Sequence, residues 1–228
     1  MLAAPVAPAI RAVLLDLDGT ILDTSQDIAA AANRMLAALG RHPLGEDEIR
    51  NFIGRGIANL VHRCMSATGG ADVQMERRAL ESFEIHYLAG IADRSRPYPG
   101  VVAGLQALAR AGIAMGCVTN KAQRFTEPLL ERTGLRGFFG VVVSGDSVSR
   151  KKPDAEPVLL AASRLGVEPR EALVVGDSLN DVKSARVAGS PVVVVPYGYR
   201  EGLAIEAMQA DAVFPSIEAL ARSITMAG

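Results

Sequence analysis

The sequence predicts a doubly wound α/β protein: a mostly parallel sheet with helices on both faces, broken once by an all-helical insertion. Three observations carry this. Short β-branched runs alternate with helical patterns from about residue 97 onward. Most of those runs are nearly all apolar, as strands covered on both faces are. Residues 24–95, directly after the first run, contain no strand pattern.

The first run is AVLLDLD (12–18). The others are IAMGCVTN (113–120), FFGVVVSGD (138–146), ALVVGDS (172–178), PVVVVPYG (191–198) and DAVFPS (211–216). Between them, helices are predicted over 101–112, 122–134, 155–166 and 179–189, each closed by a glycine. Pro128 predicts a kink or a late start in the second of these. Within the insertion, Thr24 or Ser25 caps a helix running to Leu39. Ile28, Ala31, Ala32, Met35 and Leu39 form its apolar stripe, and Gly40 stops it. Further helical pattern covers 46–53, 57–67 and 73–90. The expected organisation is a core of residues 1–22 and 96–228, with 23–95 inserted as a small helical domain.

The chain has 228 residues, 49% hydrophobic and 21% charged, which suits a sizeable core and not a disordered chain. A net charge of −1 gives no bulk attraction to nucleic acid or an anionic membrane. Aromatics are 4% and Trp is absent, so single strands find no stacking platform. Cys64 and Cys117 form no CxxC pair, and Cys117, in an apolar run, reads as a buried free thiol. The start, MLAAPVAPAIR, lacks the basic stretch and long apolar core of a signal peptide. PVVVVP (191–196) is too short to cross a bilayer. The expected location is the cytoplasm.

Ligands of open α/β sheets bind at the carboxyl ends of the strands. The first run ends in Asp16, Asp18 and Thr20, and the second in Thr119, Asn120 and Lys121. The fourth ends in Gly176, Asp177 and Ser178, followed by Asn180 and Asp181. The segment SRKKPD offers Lys151 and Lys152. Asp16 and Asp18, two apart, can address one point beyond the strand, and Asp177 arrives from another strand end. Three converging carboxylates need a cation, and hard oxygen donors select Mg²⁺ over zinc. With a lysine and a hydroxyl donor, that is a site for phosphate. Each piece alone reads more often as a turn, a cap or a solvated loop. Their joint occurrence, each on or beside an apolar run, points to chemistry.

Together these residues resemble the haloacid dehalogenase superfamily in its phosphatase branch. Asp16-Leu17-Asp18-Gly19-Thr20 is similar to its first motif and Val118-Thr119-Asn120 to its second. Lys152-Pro153 is similar to the third, and Gly176-Asp177-Ser178-Leu179-Asn180-Asp181 to the fourth. The resemblance spans nearly the whole chain and implies a Rossmann-like core with a type 1 helical cap. Ile53-Gly54-Arg55-Gly56, Thr119-Asn120-Lys121 and Pro196-Tyr197-Gly198-Tyr199 resemble the phosphoglycolate phosphatases in particular. One departure is Ala155, where relatives often carry Pro; it shapes a loop, and little effect on the chemistry is expected.

The resemblance implies hydrolysis of a small phosphomonoester through an aspartyl phosphate. Asp16 would be the nucleophile, and Asp18 the acid that protonates the leaving alkoxide and then activates water. Mg²⁺ would be held by the Asp16 carboxylate, the Asp18 backbone carbonyl and Asp177, with Asp181 orienting the metal's surroundings. Thr119 and the Asn120 amide would hold phosphoryl oxygens. Lys152, preferred to Lys151 because it precedes Pro153, would neutralise the nucleophile and the transferring group. The cap would exclude water, and Arg55 is the candidate for a substrate carboxylate. His42, His62 and His86 lack metal-ligand spacing and are read as structural or surface. The competing possibilities are a mutase of the same fold, a phosphatase for pyrophosphate or a sugar phosphate, and a phosphorylated signalling receiver. The last has no use for the insertion.

Overall fold

The computed structural model describes residues 10–200 and 202–226; the segment MLAAPVAPA, read above for a leader, lies outside them. The first strand, β1 (Ala12–Leu15), stops where the acids begin. After it come a two-residue strand, β2 (Leu22–Asp23), and four helices: α1 (Ser25–Ala38), α2 (Glu46–Arg50), α3 (Ile57–Ala67) and α4 (Val73–Ala89). A second two-residue strand, β3 (Arg96–Pro97), pairs antiparallel with β2. Strand–helix alternation then resumes with α5 (Val101–Arg110), β4 (Ala114–Val118), α6 (Gln123–Arg132) and β5 (Val141–Val143). It continues through α7 (Glu156–Leu165), β6 (Ala172–Gly176), α8 (Leu179–Ala188), β7 (Val192–Val194), β8 (Ala212–Val213) and α9 (Ile217–Met226).

Among the described residues the main sheet runs β5-β4-β1-β6-β7-β8, all parallel. The period of two sorts β1 onto two cores. Val13 and Leu15 face the layer of α5 and α9, with Leu105, Leu108, Ile217 and Leu220. Ala12 and Leu14 face α7 and α8, with Val158, Ala161, Val182 and Ala185. Both faces are covered, which is why the strands read as unbroken apolar runs. Leu14 is fully buried, and truncating such a side chain costs about 2–5 kcal/mol. The chain builds β4 and β5 on one side of β1 and then crosses to β6. The carboxyl ends of β1, β4 and β6 therefore meet at the switch point where such sheets bind ligands.

The predicted helical stretch holds four helices, and the buried stripe of α1 is Ile28, Ala31, Ala32, Met35 and Leu36; Leu39 is only partly buried. The β2–β3 ribbon at its base, two residues a side, is too short to leave a sequence pattern. Asp27 braces the same junction by accepting from the Arg94 and Ser95 N–H groups and the Ser95 hydroxyl.

Two local expectations change. Thr24 stands at the N-cap of α1 but makes no side-chain cap; its hydroxyl donates to Asp18 instead. The Tyr199 hydroxyl serves that end, accepting from Thr24 N at 2.8 Å and Ser25 N at 3.0 Å. Pro128 does not delay α6, which runs from Gln123 to Arg132 with the proline inside it. Ala155, the departure noted above, is the buried N-cap residue of α7. No helix among the described residues is long and apolar enough to cross a membrane.

Candidate active site

After Leu15 the chain turns at once: the Thr20, Ile21 and Leu22 N–H groups all converge on the Leu17 carbonyl. Gly19 makes this possible with φ +86, and a Cβ there would run into the Asp177 carboxylate. The turn leaves Asp16 and Asp18 at the sheet edge and buries Thr20, whose hydroxyl donates to Asp177 Oδ1 at 2.7 Å. The backbone N–H of Tyr199 holds the other oxygen of Asp177. Gly198 permits this approach, since a Cβ on it would overlap Asp177.

Asp16, Asp177 and Asp181 each bring one carboxylate oxygen to within 4.8 Å of the others. Lys152 reaches them from beneath. Its ammonium donates to Asp181 Oδ1 at 2.6 Å and the Val118 carbonyl at 2.7 Å, and lies 2.9 Å from Asp16 Oδ1. The second oxygen of Asp181 accepts from the Ser178 N–H and hydroxyl at the start of α8. One lysine among three acids, two of them buried and Asp16 partly so, leaves negative charge uncompensated. Burial pushes the Asp16 carboxyl up to about 7, with Asp181 adding and Lys152 opposing. Burial and the charges of Asp16 and Asp181 also push Asp177 well up. A cation among these groups relieves that repulsion, and a donor set of oxygens alone suits a hard metal ion. The residues present therefore fit a metal site.

Asp18 keeps its carboxylate out of this cluster. Oδ1 accepts from the Thr24 hydroxyl at 2.7 Å, and Oδ2 lies 3.0 Å from Lys121 Nζ. Lys121 is buried and donates also to the Tyr87 hydroxyl of α4 at 2.9 Å. Burial would lower its pKa, but Asp18 and Tyr87 outweigh that and raise it, so it carries its charge. Two acids two residues apart thus have separate lysines, Lys152 for Asp16 and Lys121 for Asp18.

A partly enclosed cavity opens over these groups. Its floor is Asp16, Asp18, Thr119, Asn120 and Lys121, and its roof comes from the insertion: Ile28, Ile53, Gly54, Gly56, Ile57, Leu60 and Phe83. The Thr119 oxygen accepts from Lys121 N–H at 3.2 Å, which leaves its own hydrogen to donate. The Asn120 amide is used as a brace. Its Nδ2 donates to the Lys152 carbonyl at 2.9 Å and the Gly54 carbonyl at 3.2 Å, while its Oδ1 is buried without a partner. The Gly54 carbonyl also accepts from Asn180, docking the loop before α3 onto the sheet edge.

Of the residues singled out in the sequence, Asp16, Asp18, Lys152, Thr119, Asn120, Asp177 and Asp181 are brought together. Arg55 is not: it is exposed, and only its glycine neighbours line the cavity. Lys151 is exposed, with its ammonium near Gly56 at the rim. His62 pairs with Glu76 at the surface, and His42 is exposed. Both cysteines are free and buried; burial pushes the Cys64 thiol up to about 12 and Cys117 higher still. Sequence reasoning gave no catalytic or binding role to Lys121, Tyr87, Thr24 or Tyr199: Lys121 and Tyr199 stood only in quoted motifs, Thr24 was read as a helix cap, and Tyr87 left no signal.

The chain is similar to known proteins over most of its length. The chain is 47% identical over 210 residues to phosphoglycolate phosphatase of Nitrosospira multiformis, covering 91% of this chain and 92% of that one. The crystal structure of a predicted phosphoglycolate phosphatase from Haemophilus somnus superposes with a TM-score of 0.90 at 27% identity, covering 94% of this chain and 97% of that one. CbbY from Rhodobacter sphaeroides, solved in complex with phosphate, gives a TM-score of 0.79 at 27% identity over 92% and 96% of the two chains. The profile of the haloacid dehalogenase-like hydrolases matches residues 13–195. With the acid cluster, the lysine beneath it and the roofed cavity, that match means the chain belongs to the haloacid dehalogenase-like hydrolase family, as one of its phosphatases.

Proposed function

We propose that the enzyme hydrolyses 2-phosphoglycolate to glycolate and phosphate, with Mg²⁺ as the metal and Asp16 as the nucleophile. The observation that carries this is the division between the two acids: Asp16 is paired to Lys152 inside the acid cluster, and Asp18 is paired to Lys121 outside it. Mg²⁺ held by Asp16, Asp177 and the Asp18 backbone carbonyl would draw charge from the phosphoryl oxygens. Asp181, which accepts from the Lys152 ammonium and the Ser178 hydroxyl, orients Lys152 and the surroundings of the metal.

In the first step an Asp16 oxygen forms a bond to phosphorus as the ester P–O bond breaks. The Asp18 carboxyl gives its proton to the departing alkoxide. In the second step the Asp18 carboxylate takes a proton from water, the water oxygen bonds to phosphorus, and the Asp16–phosphorus bond breaks. Such acid–base help contributes roughly 10²–10⁴ in rate. Thr119 donates to a phosphoryl oxygen; Asn120 holds the loop that shapes the site. Residues 23–95 act as the cap over a core of 1–22 and 96–228, keeping bulk water from the intermediate. The apolar roof favours a small acid over a sugar phosphate, whose hydroxyls would be buried against Ile53, Ile57 and Leu60 without partners. The two unpaired, buried thiols support a cytoplasmic setting.

Phosphate release from 2-phosphoglycolate, ethyl phosphate, pyrophosphate and sugar phosphates, with and without Mg²⁺, tests the substrate. Mg²⁺-dependent turnover with 2-phosphoglycolate ranked first is the expected result. Equal rates across the series would overturn the substrate while leaving a phosphatase.

A further inference from the structure

We propose that Lys121 recognises the carboxylate of the substrate and sets the preference for a phosphate ester that carries an acid. This rests on the reaction proposed above. In 2-phosphoglycolate a single methylene separates the ester oxygen from the carboxyl carbon. Whichever group protonates that oxygen therefore has the carboxylate beside it. Asp18 is that group, and Lys121 Nζ stands 3.0 Å from its Oδ2.

Among the described residues, Lys121 is the one cation lining the cavity, and the roof opposite is hydrocarbon and glycine backbone. A carboxylate entering there loses its hydration and needs a buried counter-charge in exchange. Lys121 is already fixed for this. The Tyr87 hydroxyl takes one of its hydrogens at 2.9 Å, and the Tyr87 ring centroid lies 4.7 Å from Nζ. Asp18 takes a second hydrogen, and the third serves the ligand. Bound in this way, the ammonium stands between the substrate carboxylate and Asp18, two groups that would otherwise repel. The Asp18 pairing also keeps Lys121 from being a buried, unpaired charge before substrate arrives. The role that the sequence gives to Arg55 thus passes to Lys121, since Arg55 does not line the cavity and Lys151 reaches only its rim.

The test compares kcat/KM for 2-phosphoglycolate and for ethyl phosphate, which lacks the carboxylate, in the Mg²⁺-loaded enzyme. In Lys121→Met and Lys121→Gln the ratio of the two values falls about 30-fold or more, chiefly through KM for 2-phosphoglycolate. In Arg55→Met and Lys151→Met it stays within about threefold. Tyr87→Phe keeps the ring but frees Nζ, and lowers the ratio by a smaller factor; this variant decides the matter if the Lys121 variants do not fold. Equal losses on both substrates would mean that Lys121 serves only Asp18, and would overturn the proposal. So would a collapse of the ratio in Arg55→Met or Lys151→Met. A wild-type enzyme with no preference for 2-phosphoglycolate would instead overturn the substrate assignment itself.

Discussion

Lys152 and Asp16 form a buried pair, 2.9 Å from Nζ to Oδ1, and the other two donors of that ammonium go to Asp181 and the Val118 carbonyl. Every hydrogen of the lysine has an acceptor, so the contact fixes the direction of the carboxylate proposed to attack as well as its charge. Lys152→Met leaves two acids without their counter-charge. It is expected to lower kcat at least 100-fold and to destabilise the fold by about 3 kcal/mol, read from steady-state kinetics and urea melts. Lys152→Arg does not restore activity, because a planar fork cannot meet three acceptors placed for an ammonium. Full activity in either variant would contradict the role given to this pair.

The junction between β2 and α1 gives a pH-dependent contribution to stability. Burial would raise the Asp23 carboxyl, but hydrogen bonds from the Tyr199 and Ser25 side chains outweigh it and hold the group below its ordinary 3.8. A carboxyl depressed in the folded state stabilises fully above its unfolded value, and that contribution is lost as the pH falls through the folded value. Asp23→Asn is therefore expected to cost stability at pH 7 and to cost progressively less below about pH 4. Urea midpoints of the two proteins at pH 7 and pH 3 check this; a gap that widens toward acid has the wrong sign for the hydrogen-bonded carboxylate described.

The acid cluster makes metal binding and stability one quantity. Mg²⁺ at about 100 times its Kd should raise the unfolding free energy by about 2.7 kcal/mol, seen as a higher Tm that chelation reverses. In Asp177→Asn most of that rise should vanish, and with it Mg²⁺-dependent turnover. An unchanged Tm shift in this variant would mean the ion binds elsewhere.

How much of this could be read in the sequence follows from the range of each interaction. Asp16, Asp18 and Asp177 were legible because apolar runs end in them, and a parallel sheet brings strand ends together whatever its loops do; Lys152, in a loop, was singled out by the proline that follows it. The run of four helices was legible because helical patterns follow one another there with no strand pattern between them. The β2–β3 ribbon was not, since two residues carry no period. Lys121 stood in view, but its meaning depends on Tyr87 and Asp18, 34 and 103 residues away. Tyr199 lies in a polar turn, and nothing local says that its hydroxyl caps the start of α1, 174 residues earlier. Arg55 is the converse case. Its flanking glycines looked like a ligand loop, and they do line the cavity, but the side chain between them is exposed.

The most direct measurement of the central claim is the position of the phosphoryl group during turnover. Enzyme mixed with 2-phosphoglycolate and Mg²⁺ is quenched in acid, digested and analysed by mass spectrometry. The phosphoryl mass is expected on the peptide holding Asp16 in the wild type, absent in Asp16→Asn, and slow both to form and to decay in Asp18→Asn. A phosphoryl group on another residue, or undiminished phosphate release by Asp16→Asn, would contradict the assignment of Asp16 as the nucleophile.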